Sequence, residues 1–279
     1  MRLMHQVSLI ALTSFLVMGC DQMASHKATK NAVAEHVADT AFDVQTANGS
    51  INVVQADGDD VRIEARIRAS TLERLEATNV VAERGDKGQL VVRVDWPEGK
   101  RSWREGCSFD IQLPSAAGVS LKSSNGSLSV RGLGGKAMLR TSNGSIKVGS
   151  HQGNVDAQSS NGSLEIVDVN GTIKAKSSNG SIQVSLTDDS PGPVEARTSN
   201  GSIKLTLGSA FSGKLKLKTS NAKVKLDQLD PSVSVLSQDK KSAQLDFGGS
   251  DQQSSATTSN GSITVKSQDK APAQEATTI

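Results

Sequence analysis

The sequence predicts an all-β chain wound as a parallel β-helix, a solenoid with two short strands in each 18–21-residue coil. The first observation is a phrase, Ser-Asn-Gly-Ser-Ile/Leu, whose Asn falls at Asn125, Asn143, Asn161, Asn179 and Asn200. A worn copy stands at Asn221 and outlying copies at Asn48 and Asn260. From Asn125 to Asn221 the steps are 18, 18, 18, 21 and 21 residues. A short fixed period means stacked like units rather than one central core. The second observation is alternation around each Asn, and the third is an aromatic content of 3% with no Tyr. Such a core must be built from many small aliphatic layers.

Each unit reads as two strands and two turns. After the Asn come apolar residues three and five positions on, such as Ile146 and Val148, with a polar residue between them, here Lys147. Before it, six and four positions back, stand pairs such as Ala137 and Leu139. This is apolar-in, polar-out strand alternation. Asn-Gly marks a turn because both residues accept positive φ cheaply. In a parallel stack the Asn side chains are expected to form a ladder. The Ser or Thr two residues before each Asn is expected to satisfy turn backbone groups. A second turn is marked by Gly135, Gly153, Gly171, Gly192 and Gly213, and the longer coils take their extra residues there. One coil alone cannot bury enough to offset the entropy of ordering it, so several coils fold together.

The organisation follows in order. Residues 1–19 read as a signal peptide, with Arg2 ahead of the apolar run Val7–Met18, which is too short to span a bilayer. Val17-Met18-Gly19-Cys20 resembles the lipobox of bacterial lipoproteins. That resemblance implies cleavage before Cys20 and its acylation, hence a membrane anchor facing the periplasm. Asp21 resembles an inner-membrane retention signal. Residues 20–40 are expected to be the lipidated Cys and a polar tether. The solenoid is placed at 41–266, with an irregular N-terminal cap portion (41–112), regular repeats (113–226) and irregular C-terminal coils (227–266). Residues 267–279 read as a disordered tail. Within the cap, Thr71–Thr78 predicts a short helix with a Thr cap. Trp96–Cys107 predicts a polar loop holding both Trp residues. Cys107, the one cysteine left after lipidation, reads as buried and inert.

The layout resembles the bacterial "putative adhesin" β-helix family, whose function is unknown. The resemblance rests on the Gly-Ser-Ile turn of the opening strands, a strand ending in Leu113-Pro114, and the repeated Ser-x-Gly-polar-Ile/Val units. It covers about Ala41 to Val265. It implies a right-handed parallel β-helix and a place in envelope contacts or envelope-stress signalling. Here Ser-Asn-Gly-Ser replaces the commoner Ser-Ser-Gly-Asp, which removes turn carboxylates.

No catalytic centre is legible. The His residues are His5, His26, His36 and His151, and no nucleophile elbow, phosphate loop or His/Cys metal spacing occurs. His151 reads as a turn side chain. Asp168, Asp188 and Asp189 are too scattered for the calcium turns of a β-roll. No cofactor or metal is expected. Between Leu113 and Leu226 there are 14 Lys/Arg against 6 Asp/Glu, leaving 17 against 23 in the rest of the chain. Lys122, Arg140, Lys176, Arg197 and Lys218, each three residues before a repeat Asn, would stand one above another about 4.8 Å apart on an outward face. Gln158 fills the remaining position, and Lys147, Lys204 and Lys225 add charge to the other sheet. The plainer reading is a solvated face, since outward charge is expected on any solenoid strand. The functional reading is a track for a polyanion: lipopolysaccharide, anionic lipid heads or an acidic glycan. Nucleic acid is disfavoured in an exported chain without aromatics on that face. The rival expectation is a protein–protein module in which the solenoid edge or the Trp96–Cys107 loop engages an envelope partner.

Overall fold

A computed structural model describes residues 26–268 and the two-residue strand β1 (Phe15–Leu16). The N-terminal part holds β2 (His26–Glu35), β3 (Ala41–Gln45), β4 (Ile51–Gln55), β5 (Asp60–Ala69), α1 (Leu72–Ala77), β6 (Asn79–Arg84), β7 (Leu90–Asp95) and β8 (Gly106–Leu113). The repeats give β9 (Gly118–Lys122), β10 (Leu128–Arg131), β11 (Lys136–Thr141), β12 (Ile146–Gln152), β13 (Val155–Ser159), β14 (Leu164–Asn170), β15 (Ile173–Ser177) and β16 (Ile182–Leu186). They continue through β17 (Val194–Arg197), β18 (Ile203–Leu207), β19 (Lys214–Thr219) and β20 (Val224–Leu226). The last elements are β21 (Ser234–Gln238), β22 (Ser242–Asp246), β23 (Gln253–Thr258) and β24 (Ile263–Ser267).

These strands form two facing sheets of a β-solenoid. In sheet A, β4, β10, β12, β14, β16, β18, β24 and β20 lie side by side and parallel. In sheet B, β3, β9, β11, β13, β15, β17, β23 and β19 do the same. Like positions of successive repeats are register partners, as in Ile146↔Leu164 and Ala157↔Ala175. Inward residues such as Leu139, Ile146, Ala157 and Ile166 are fully buried, so each coil contributes one thin aliphatic layer.

Two chains of side-chain hydrogen bonds run along the first turn. Asn143 donates to Asn125, Asn161 to Asn143, Asn179 to Asn161 and Asn200 to Asn179, each at 2.7 Å. Beneath them, the buried hydroxyls of Thr141, Ser159, Ser177 and Thr198 donate to the carbonyls of Gly126, Gly144, Gly162 and Gly180 at 2.8–2.9 Å. The Ser177 hydroxyl also accepts from Gly180 N–H, joining two coils through one atom. The turn is therefore where the sequence placed it, but for another reason. No repeat Asn has positive φ, and neither do the glycines after Asn125 to Asn200. What those glycines supply is room. A Cβ on Gly180 would stand 1.9 Å from the carbonyl oxygen of Gly162 in the adjoining coil. Positive φ is used at the second turn instead, for example at Gly135 (77°) and Gly213 (86°).

The chain order and the spatial order differ at both ends. The portion 41–112, expected as an irregular cap, contains a regular coil: β3 and β4 pair directly with β9 and β10. The 62 residues between Gln55 and Gly118 leave the stack and build its end. There β8, β5 and β2 extend sheet A, and β7 and β6 extend sheet B. The expected tether also needs correction. His26–Glu35 is a strand, paired over its whole length with β5, because Ala32 and Ala34 are apolar steps that bury against the core. The stretch 227–266 is likewise not a run of irregular coils. β21 and β22 form an antiparallel hairpin on the edge of sheet B, while β23 and β24 make a regular coil. That coil is inserted between the Asn200 and Asn221 coils: Asn260 donates to Asn200 and Asn221 donates to Asn260, both at 2.6 Å. The worn repeat, with Ala222 in place of Gly, is thus the last coil of the stack and has a neighbouring coil on one side only. The predicted helix is present as α1, with the Thr71 hydroxyl accepting from Arg74 N–H.

Candidate functional site

The outward positions of sheet B set the candidate site. Parallel pairing in register places Gln45, Lys122, Arg140, Gln158, Lys176, Arg197, Thr257 and Lys218 in one row. All five cations named from the sequence therefore share a row. The inserted coil puts Thr257 between Arg197 and Lys218, a gap that the linear repeat did not show.

A second outward row lies two residues upstream on each strand and changes the electrostatics. It reads Asp43, Ser120, Met138, Asp156, Lys174, Glu195, Ser255 and Lys216. Its acids pair with the cations beside them: Arg140 with Asp156 at 2.6 Å, Lys176 with Glu195 at 3.4 Å and Lys174 with Glu195 at 3.3 Å. Burial pushes the Glu195 carboxyl up, but the two lysines outweigh it and hold it below its ordinary value. These partners are half-exposed, so the pairs are worth little energetically. They do neutralise the middle of the stripe. On sheet A, Lys147 is similarly paired with Glu165 at 3.0 Å.

Uncompensated charge is concentrated elsewhere on sheet B. Among the described residues, Lys122, Lys136, Arg197, Lys214, Lys216 and Lys218 are exposed and carry no ion pair, and three of the six lie on β19. The alternating Lys214-Leu-Lys-Leu-Lys218 of β19 was the sequence signal for this cluster, but the repeat alignment hid it by sampling one Lys per coil. The site is therefore a row with a neutralised centre and a basic far end.

Other singled-out residues have plain positions. Asn125, Asn143, Asn161, Asn179 and Asn200 form the ladder already described. His151, expected in a turn, is a wholly buried residue of β12, in register with Val169 inside an aliphatic column. Its Nε2 contacts the Gly135 carbonyl at 2.9 Å, and burial lowers its pKa. Cys107 is a free, buried thiol whose pKa burial pushes up to about 12. Cys20, Asp21 and the rest of 20–25 in the expected tether, the expected signal peptide 1–19 apart from β1, and 269–279 of the expected tail lie outside the described residues. Among the described residues no three His, Cys, Asp or Glu side chains gather in a metal-like group, and no helix is long and apolar enough to cross a membrane.

Residues 139–271 match the family described as Domain of unknown function (DUF7330). No curated protein matches the chain. Solved structures similar to it include a putative cell adhesion protein from Clostridium sporogenes, at 13% identity and a TM-score of 0.34, over 86% of this chain and 100% of that one. A putative adhesin from Bacteroides fragilis is similar at 14% identity and a TM-score of 0.45, over 86% and 97%. Another from Parabacteroides distasonis is similar at 15% identity and a TM-score of 0.32, over 86% and 97%.

Proposed function

We propose that this chain is a non-enzymatic, adhesin-like binding or scaffold module of the cell envelope. It is exported, held by a lipid on Cys20 facing the periplasm, and contacts an anionic envelope component through the outer face of sheet B. Anionic lipid heads, lipopolysaccharide and an acidic glycan share the required chemistry. The observation that carries this reading is the in-register row Lys122, Arg140, Lys176 and Arg197, continued past Thr257 to Lys218 and its uncompensated neighbours on β19. Charges held at strand spacing on a rigid sheet lose little entropy when a polyanion lies across them.

The test neutralises the row: Lys122→Gln, Arg140→Gln, Lys176→Gln, Arg197→Gln and Lys218→Gln together. Co-sedimentation with vesicles containing phosphatidylglycerol, and retention on lipopolysaccharide, should fall at least about tenfold, with wild-type binding weakening as salt rises. Circular dichroism should not change. Equal binding by the variant and the wild type would remove the row from the mechanism.

A second reading has its own observation. Strand β21 is exposed at every residue, carries no charge, and leaves Val235 and Leu236 about half exposed on the outermost edge of sheet B. An unprotected edge of this kind accepts a further strand. It would serve a protein–protein module in envelope-stress signalling. Val235→Lys with Leu236→Lys should abolish capture of a protein partner while leaving anion binding intact.

A further inference from the structure

An open cleft lies at the opposite end of the stack, on sheet A rather than sheet B. Lys27 of β2 and Arg68 of β5 are register partners there, followed one outward step on by Thr29 and Arg66. With the turn residues Asn48 and Asn125 and with Trp103, they line this cleft of about 800 Å³. Small-molecule sites fall in the range of about 300–1,000 Å³.

Trp103 is the feature that needs explaining. It is 80% exposed, the largest apolar side chain so placed among the described residues, and only the Arg104 guanidinium lies over its ring, 5.0 Å from the centroid. Trp96, in the same loop, packs on the core instead. A Trp left in water on a floppy loop would need no account, but this loop is pinned on both sides of the ring. Glu105, wholly buried, accepts from Ser70 N–H, the Ser70 hydroxyl, Arg74 Nε and Nη2, and Ser102 N–H. Asn48 Nδ2 donates to the Trp103 carbonyl at 3.3 Å, and Arg68 Nε donates to the Arg104 carbonyl at 2.8 Å. The buried carboxylate fixes the loop, and the loop holds the exposed indole in a cleft that Lys27 and Arg68 also line. Groups held this way bind without first having to be ordered.

The polar inventory narrows the ligand. Arg66 is occupied by Glu64 and Asp110. Among the described residues Lys27 has no ion pair, and the one hydrogen bond of the Arg68 guanidinium is from Nε. Asn48 spends its amide on the loop carbonyls, whereas Asn125 donates once, to Asn48, and retains a second N–H. The cleft thus offers one flat apolar face, two free cations and an outward amide. Phosphate alone would leave the indole unused, and a neutral sugar would leave the cations unused. We infer that this cleft takes a carboxylated sugar residue of an acidic oligosaccharide, the C–H face of the ring on Trp103, the carboxylate toward Lys27 and Arg68, and a hydroxyl on Asn125.

Isothermal titration calorimetry of the full chain with tri-galacturonic acid, and with maltotriose as the neutral control, tests it. The acidic trisaccharide should bind at least about tenfold tighter than maltotriose, and Trp103→Ala and Arg68→Gln should each weaken it by about tenfold or more. Trp103→Phe should keep most of the affinity. Trp103 is on the surface, so circular dichroism of the alanine variant should match the wild type. The sheet B variant with five neutralised cations should bind the trisaccharide as the wild type does, which separates this site from the row proposed above. Absence of heat at millimolar trisaccharide, equal binding of the two sugars, or unchanged binding by Trp103→Ala would each overturn the assignment. Loss in the sheet B variant with retention in Trp103→Ala would overturn it too, and would move the sugar to the other face.

Discussion

At the residue scale the stack is most sensitive where two coils share an atom. Gly180→Ala places a methyl against the Gly162 carbonyl, and backbone cannot swing aside as a side chain can. It should cost roughly 2–4 kcal/mol, read as a lowered melting temperature. Ala222→Gly, at the last coil, should change little. Ser177→Ala leaves the Gly162 carbonyl and the Gly180 N–H unsatisfied in a buried place and should cost about 1–3 kcal/mol. His151 gives a pH dependence with a definite sign. Burial lowers its pKa, so the folded chain keeps the ring neutral while the unfolded chain protonates near pH 6.5. The unfolded state then binds more protons as pH falls through about 6.5, and stability is lost in that direction; above it the contribution is complete. Melting temperature should therefore drop on acidification below about pH 6.5, and His151→Leu, matching its aliphatic column, should flatten that drop.

At the scale of elements, the repeats were legible because strand alternation and a fixed period are local signals. The cap was not, because its pairings are remote: β2 meets β5 across 24 residues of intervening chain (36–59), and β5 meets β8 across 36 (70–105). The polar look of His26–Asn31 suggested a tether. Its Lys30 is in fact buried, with Nζ donating to the carbonyl of Thr78 just past the end of α1. Glu105 is the other buried charge that holds this end together. Its partner Arg74, with Ser70 and Ser102, brings its pKa down from 4.5 to about 2 against the opposing effect of burial. The stability it adds is present above about pH 4.5 and is lost as pH falls from there toward 2. Glu105→Ala should lower the melting temperature, since it removes the acceptor shared by Ser70, Arg74 and Ser102, and should also release the Trp103 loop. Cys107, with its thiol pushed up to about 12, should resist maleimide at neutral pH until the cap unfolds, and should give no disulfide-linked dimer on non-reducing electrophoresis.

At the scale of the whole molecule, the order of coils decides which side chains become neighbours. The sequence placed the five cations on one face, and register confirms that they share a row. It could not show Thr257 among them, because that depends on where the Asn260 coil goes; Lys214 and Lys216 lie on the same strand as Lys218, in its own alternation. A linear period carries no information on that choice: any coil bearing the turn phrase fits any neighbour. The hairpin β21–β22 supplies the missing constraint. It pairs with the free edge of β19 and thereby leaves the Asn260 coil the position between β17 and β19. The shape of the basic face follows from this insertion. Ser202 and Ser262 provide its most direct measurement. Their side-chain oxygens are 3.4 Å apart only because their coils are adjacent. If the coils stacked in chain order, the Asn221 coil would separate them by about two strand spacings, near 10 Å and too far for a disulfide. In Ser202→Cys/Ser262→Cys, mild oxidation should form an intramolecular disulfide quantitatively, seen by mass spectrometry of the linked peptides. Failure of that pair to close, with closure of a Ser202→Cys/Lys223→Cys pair instead, would contradict the inserted coil and the face built on it.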